Sequence, residues 1–446
     1  MKKRFNTPLD LLKLIHKGNT MRIFESLESE VRGYIRSFPT SFTKAKGAIL
    51  TDEQGVEYID FFAGAGTLNY GHNNEHISKA LIEYLQNDGI VHGLDMATTA
   101  KKEFLQTFES LILKPRNLEY KLQFTGPTGT NAVETALKLA RLVKGRSNVV
   151  AFTNGYHGLS QGSLAVTGNN EYRDESYISR TNATFMPFDG YFGDMNTLVY
   201  FRKFLEDGSS GMDLPAAVIL ETIQGEGGIN VASKEWLQEL EAICREFDIL
   251  LIVDDIQVGN GRSGEFFSFE DAGIYPDMVT LSKSIGGGLP MALLLFKPQL
   301  DQWKPGEHTG TFRGNNLAFV ASKVSLDHYW QNDNISKAVK YKEKILKNCL
   351  EKLAQKYKDD YEMIVRGRGL VYGFEIKNDK SMAGDISALA FQEGLIIETC
   401  GSENQVVKFL PPLLIDEELL LEGLKRFENA VEKLIVDRKS NLSGAF

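Results

Sequence analysis

Short apolar runs rich in β-forming residues recur through the middle of the chain, each ending in a polar turn: "NVVAF" from 148, "AAVIL" from 216, "ILLIV" from 249, "MVTL" from 278 and "MALLLF" from 291. Near-continuous apolar runs of this length suit strands buried on both faces. Between several of them lie helix-like stretches. In "SKEWLQELEAICREF", Trp236, Leu237, Leu240, Ile243 and Cys244 recur at helical spacing. The alternation predicts an α/β fold with a mostly parallel sheet covered by helices.

Around 313–316 the pattern changes to long charged amphipathic helices, "ISKAVKYKEKILKNCLEKLAQKY", and then to "VRGRGLVYGFEI" and "VVKFLPP". These predict a smaller α+β domain over 326–446, completed by "GAILTDEQGVEYIDFFAGAG", which is expected to form a hairpin about its "DEQG" turn. The large domain is then expected over 76–325, with 1–75 supplying an N-terminal extension and part of the small domain. The opening "MKKRFNTPLDLLKLIHKG" reads as an amphipathic helix, because Lys13 interrupts its apolar run and no small-residue cleavage site follows.

Composition narrows the partners. A net charge of −9 over 446 residues lacks the basic footprint of a nucleic-acid or anionic-membrane binder, and no run approaches a membrane span. The three cysteines, Cys244, Cys349 and Cys400, are odd in number and have no metal-ligand spacing. Free thiols in a reducing compartment, hence a cytoplasmic protein without a metal site, are the expectation.

In open α/β sheets, ligands bind beyond the carboxyl ends of the strands. "NVVAF" leads there to Tyr156 and His157, "AAVIL" to Glu221 and Glu226, "ILLIV" to Asp254 and Gln257, and "MVTL" to Lys283. Upstream, "KLQFTGPTGTNAVETALKLARL" runs from a strand through a Gly-rich turn into a helix. Alone, each piece has an ordinary structural use, as a surface lysine, a turn-forming Asp or a tight loop. Together they are the parts that pyridoxal 5'-phosphate requires. Amides at Gly129 and Thr130 would hold a phosphate at a helix N-terminus. Asp254 would pair with the pyridine nitrogen and keep the ring electron-withdrawing. Lys283 would bond to the cofactor and then serve as the proton-transfer base.

"VDDIQVGNGRSG" followed by "PDMVTLSKSIGGGLPMA" resembles the signature of the class III (ω-amino acid) aminotransferases, as do "FAGAGTLNYGHNN", "GYHG", "ETIQGEGG" and "VRGRGL". The likeness spans about residues 21–430. It implies the fold type I architecture, a large domain with a mostly parallel sheet of the seven-stranded type plus a smaller α+β domain. It also implies pyridoxal phosphate, small amino-acid and oxo-acid substrates, and a homodimer or higher homo-oligomer with shared active sites. By the same resemblance Tyr156 stacks on the cofactor ring, Gln257 lies near its hydroxyl, and Glu221 and Glu226 lie beside cofactor and substrate. Thr311, in "TGTFRGNN", matches a threonine that reaches the phosphate from the neighbouring subunit.

The runs "ESLESEVRGYIRSFPTSFTKAKGA" and "HGLDMATTAKKEFL" are similar to those of diaminobutyrate:2-oxoglutarate transaminases of the ectoine-pathway type. That implies amino transfer from L-glutamate to L-aspartate 4-semialdehyde. Other readings are an ornithine- or GABA-type ω-aminotransferase, or non-transaminase chemistry on the same fold.

The chain departs from the ornithine and GABA types at two positions where they carry carboxylate-binding arginines. Leu159 and Lys408 stand there, and a lysine lacks the planar two-toothed grip of guanidinium. Lys408 and Glu226 are expected to pair when no substrate carboxylate is bound. Arg313 is either a second carboxylate ligand reaching across a dimer interface or an interface salt-bridge residue. Arg262 is expected to be structural, His72 and His92 to bond within loops, and His157 either to orient its neighbour or to be structural.

Overall fold

The computed structural model describes residues 21–177 and 181–443; the expected N-terminal amphipathic helix lies outside them. Strands β1 (Phe42–Lys46), β2 (Ile49–Asp52) and β3 (Glu57–Asp60) form an antiparallel meander, with the "DEQG" turn joining β2 to β3 as expected. Then follow β4 (Lys121–Phe124), β5 (Val149–Phe152), β6 (Ala183–Met186), β7 (Ala217–Leu220), the short pair β8 (Ile223–Gln224) and β9 (Asn230–Val231), β10 (Leu250–Asp254), β11 (Met278–Leu281) and β12 (Leu293–Phe296). The C-terminal part adds β13 (Met363–Arg368), β14 (Val371–Ile376), β15 (Leu395–Ile396), β16 (Glu398–Cys400) and β17 (Val406–Phe409).

Seven strands make the central sheet, in the order β4-β12-β11-β10-β7-β5-β6. The run "MALLLF" supplies β12, which is antiparallel to both of its neighbours. Its connection from β11 holds only the short 3-10 turn Lys283–Gly286, whereas a parallel return needs a longer crossover, usually a helix. Within that connection Gly287 has φ +62°, and a Cβ there would sit 2.9 Å from Ala321 Cβ, so both conformation and space call for glycine.

The helix Lys234–Glu246 buries the apolar residues expected of it, and the Ser233 side chain accepts a hydrogen bond from Trp236 N–H at its start, a cap worth about 1 kcal/mol. Strand β6 escaped the sequence reading because "ATFM" is short, interrupted by Thr184 and followed at once by Pro187. The N-terminal and C-terminal parts meet where β15 pairs in parallel with β3. The boundary expected at 325/326 falls inside the helix Asn316–Tyr329.

Arg262 is structural and fully buried. Its guanidinium donates to Leu370 O at 3.0 Å, to Asn69 Oδ1 at 2.7 Å and to Pro411 O. Arg262→Ala would strand these buried acceptors and leave a cavity. We expect a loss of roughly 2–4 kcal/mol, read as a lower urea midpoint.

Candidate active site

A cavity of about 430 Å³ opens at the carboxyl ends of the parallel strands, lined by Gly129, Thr130, Tyr156, Glu221, Glu226, Asp254, Gln257 and Lys283. The strands deliver these residues separately: Asp254 closes β10, Lys283 follows β11 and Glu221 follows β7.

Asp254 is 4% exposed and tightly held. Its Oδ2 lies 2.7 Å from His157 Nδ1, and its Oδ1 accepts from Thr280 Oγ1 at 3.1 Å and Ile256 N–H at 3.2 Å. Burial opposes a charged His157, but the hydrogen bond and charge of Asp254 outweigh it and raise the imidazole pKa. His157 therefore orients the carboxylate rather than merely filling space.

Lys283 has a left-handed backbone, φ +52°, a costly conformation for a residue with a side chain. Burial lowers its ammonium pKa, against the pull of the Glu226 carboxylate. A lysine so placed is primed to lose its proton.

The helix Gly129–Lys144 opens into the cavity with no side-chain cap, because Thr128 Oγ1 turns to Asn131 Oδ1 at 2.8 Å instead. Glu221 accepts from Tyr156 N–H at 2.9 Å and Gly225 N–H at 3.0 Å. Burial nevertheless pushes its pKa up to about 7. The neighbouring Glu226 behaves oppositely. Burial would raise it too, but Lys408 and Lys283 bring it down to about 2.

Glu226 Oε1 lies 2.7 Å from Lys408 Nζ and accepts from Gln257 Nε2 at 3.0 Å, so the expected Glu226–Lys408 pair is formed. Lys408 itself is fully buried, outside the cavity lining and beneath Glu226. Leu159 does line the cavity.

Thr311 and Arg313 do not line the cavity of their own chain. Thr311 is exposed, with its carbonyl 2.9 Å from His92 Nε2. Arg313 donates to His308 O at 3.0 Å and pairs with Asp95. Its guanidinium is thus engaged with Asp95 and His308 within its own chain, away from that chain's cavity. His72 bonds to Asp60 Oδ2 at 2.8 Å, in keeping with a loop role.

The structure adds residues that the sequence reading missed. Tyr34, Ala65 and Tyr172 line the cavity, and Glu398 approaches Lys408 from the far side. Tyr34 lies in the run "ESLESEVRGYIRSFP" that carried the resemblance, but nothing there marked it as a cavity residue, and Glu398, far away in sequence, sits in no such run.

The aminotransferase class-III family model matches residues 33–431. The chain belongs to the class-III aminotransferases. A diaminobutyrate–2-oxoglutarate transaminase of Wolinella succinogenes is 63% identical, covering 96% of this chain and 99% of that protein. One of the same name from Bordetella parapertussis is 58% identical, covering 92% and 95%. Among solved structures, an ornithine aminotransferase from Toxoplasma gondii superposes with a TM-score of 0.82 at 22% identity, over 98% of this chain and 100% of that one. An N-acetylornithine aminotransferase from Stenotrophomonas maltophilia gives a TM-score of 0.74 at 26% identity, over 94% and 100%.

This class-III aminotransferase has the fold type I architecture and uses pyridoxal 5'-phosphate. The cavity residues fit that cofactor. Uncapped helix amides suit a phosphate, the buried Asp254 carboxylate suits a pyridinium, and Gln257 Oε1 is buried without a hydrogen-bond partner among the described residues, ready to accept from a ring hydroxyl.

Proposed function

We propose that this enzyme is a diaminobutyrate–2-oxoglutarate transaminase, moving an amino group from L-glutamate to L-aspartate 4-semialdehyde to give 2-oxoglutarate and L-2,4-diaminobutyrate. The observation that carries the reading is the 63% identity to a protein of that name across nearly the whole of both chains.

When bound, pyridoxal phosphate supplies an electron-withdrawing ring that accepts the electron pair left as the substrate carbon loses its proton. The chain's own residues do the rest. Lys283 Nζ takes that proton and returns it, and burial, by lowering its pKa, favours the unprotonated form that does so. Asp254, aimed by His157 and Thr280, holds a negative charge against the cofactor nitrogen. Gly129 and Thr130 amides anchor the phosphate, Tyr156 covers one wall, and Gln257 meets the ring hydroxyl. Glu226 pairs with Lys408 when an amine end occupies the cavity and turns aside when a glutamate carboxylate needs the ammonium.

The working unit we propose is a homodimer, in which exposed Thr311 completes the phosphate site of the neighbouring copy. Exposed Phe312, Leu94, Met96 and Ile90 offer apolar surface for such a contact. Among the described residues no helix is long and apolar enough to cross a membrane. A cytoplasmic location and a place in ectoine formation accompany the reading. For the domains, keeping the helix Asn316–Tyr329 whole favours a boundary just beyond Tyr329 over one at 325/326.

The test compares kcat/KM for glutamate with aspartate 4-semialdehyde against ornithine and GABA as donors. We expect the first pair to lead by at least roughly 10²-fold, about 2.7 kcal/mol of differential transition-state binding. A preference for ornithine or GABA would replace the substrate reading. Failure of every amine to react would remove the transaminase assignment.

A further inference from the structure

Lys408 is a fully buried ammonium on which two carboxylates close, Glu226 Oε1 at 2.7 Å and Glu398 Oε1 at 2.9 Å. The two are attached in different ways. Glu398 is the direct cross-strand partner of Lys408 on β16 and β17, and β17 is also paired to β14, so sheet register sets their separation. Glu226 sits in the turn between β8 and β9, flanked by Gly225 and Gly227, and lines the cavity. The second oxygen of Glu398 accepts from Tyr34 Oη at 3.3 Å, and Tyr34 lines the cavity while Glu398 does not.

We propose that Glu398 is a positioning and specificity residue, which anchors Lys408 from below and sets how much positive charge the cavity presents to a substrate. Lys408 Nζ donates a hydrogen bond to Glu226, while Glu398 Oε1, at 2.9 Å, faces the ammonium as an ion pair without hydrogen-bond geometry. Burial pushes the Glu398 carboxyl up to about 7, while Glu226 stays low, so at the pH of about 8.5 used in the test below both are charged and the one ammonium is more than neutralised. A substrate carboxylate can reach Lys408 only by displacing a group already there, and the group free to move is Glu226, on its glycine-flanked turn. Glu398 stays, held by the sheet. Its charge weakens the grip on a carboxylate and strengthens the grip on an amine, so it sets the balance between the two kinds of substrate end. This rests on the transaminase reading only for the identity of the amine substrate.

The experiment uses the pyridoxal phosphate-loaded enzyme and the isosteric variant Glu398→Gln, both at a pH of about 8.5. Glutarate, which carries two carboxylates and no amine, is titrated by calorimetry, and KM values are measured for glutamate and 2,4-diaminobutyrate. The variant is expected to bind glutarate about tenfold tighter, the effect of one partly screened charge, with KM falling for glutamate and rising for diaminobutyrate. Glu398→Asp, which draws the same charge back by one methylene, should show the same directions with smaller size. It carries the test if the glutamine variant does not fold.

Unchanged glutarate affinity would overturn the proposal, as would weakening for carboxylate and amine together, which is what a merely structural residue produces. Tighter glutarate binding in an enzyme that ignores diaminobutyrate would uphold the role of Glu398 while removing the substrate reading. Normal turnover of both substrates with no glutarate shift would do the reverse.

Discussion

Lys283→Ala should abolish amino transfer, lowering kcat by at least roughly 10³-fold for glutamate and diaminobutyrate alike, since it removes both the covalent anchor and the proton-transfer base. The fold should survive. The removed ammonium is buried, its pKa is lowered by that burial, and no hydrogen bond or close ion pair holds it among the described residues. Its loss should leave stability unchanged or raise it by about 1 kcal/mol, because catalytic groups are commonly kept at a cost to stability. The strained backbone at φ +52° persists in the alanine variant, which limits the gain. Single-turnover kinetics and a thermal melt check the two halves. A variant retaining a tenth of wild-type kcat would displace Lys283 from its role.

Asp254→Asn is the second large effect. The substitution keeps shape and one acceptor but removes the charge that faces the cofactor nitrogen. We expect kcat to fall roughly 10²–10³-fold, the usual result of deleting one preorganised electrostatic partner. The variant also reports on His157. In the wild type the hydrogen bond and charge of Asp254 hold the imidazole pKa above its usual value in spite of burial. Without that carboxylate, only the weaker pull of Glu221 opposes desolvation and the pKa should drop. The nitrogen-15 shift of the imidazole, followed with pH, would show this directly. An unmoved His157 titration would mean that some other group sustains its charge.

The two residues with the largest expected effects were also the most legible. Each ends or follows an apolar run, and the wall of a parallel sheet turns such runs into a common edge, so period and position gave their place and the coincidence of parts at that edge gave the expected chemistry. Gly129 and Thr130 were legible for a similar reason, as a Gly-rich turn opening a helix. For Arg313 the sequence allows two roles at a subunit interface. Within its own chain the guanidinium meets Asp95 and His308, contacts set by where the 311–314 turn packs. The resemblance implied the Glu226–Lys408 pair, but nothing in the local pattern pointed to Glu398, since the glutamate in "IIETCG" reads like any strand-end charge.

What the sequence determined by itself was local in origin: which runs become strands, where helices cap, where glycine must sit, and which reactive side chains leave the ends of buried strands. These follow from periods of two and of 3.6 and from turn stereochemistry, all readable within a dozen residues. Tertiary structure alone decided the pairings across the chain. Asp254 meets His157, Glu398 meets both Lys408 and Tyr34, and "MALLLF" runs antiparallel. A buried charge takes whichever partner the packing brings within about 3 Å, because an unpaired charge in that environment is too costly to leave. The partner is chosen by the three-dimensional meeting of segments, which no local stretch of sequence encodes.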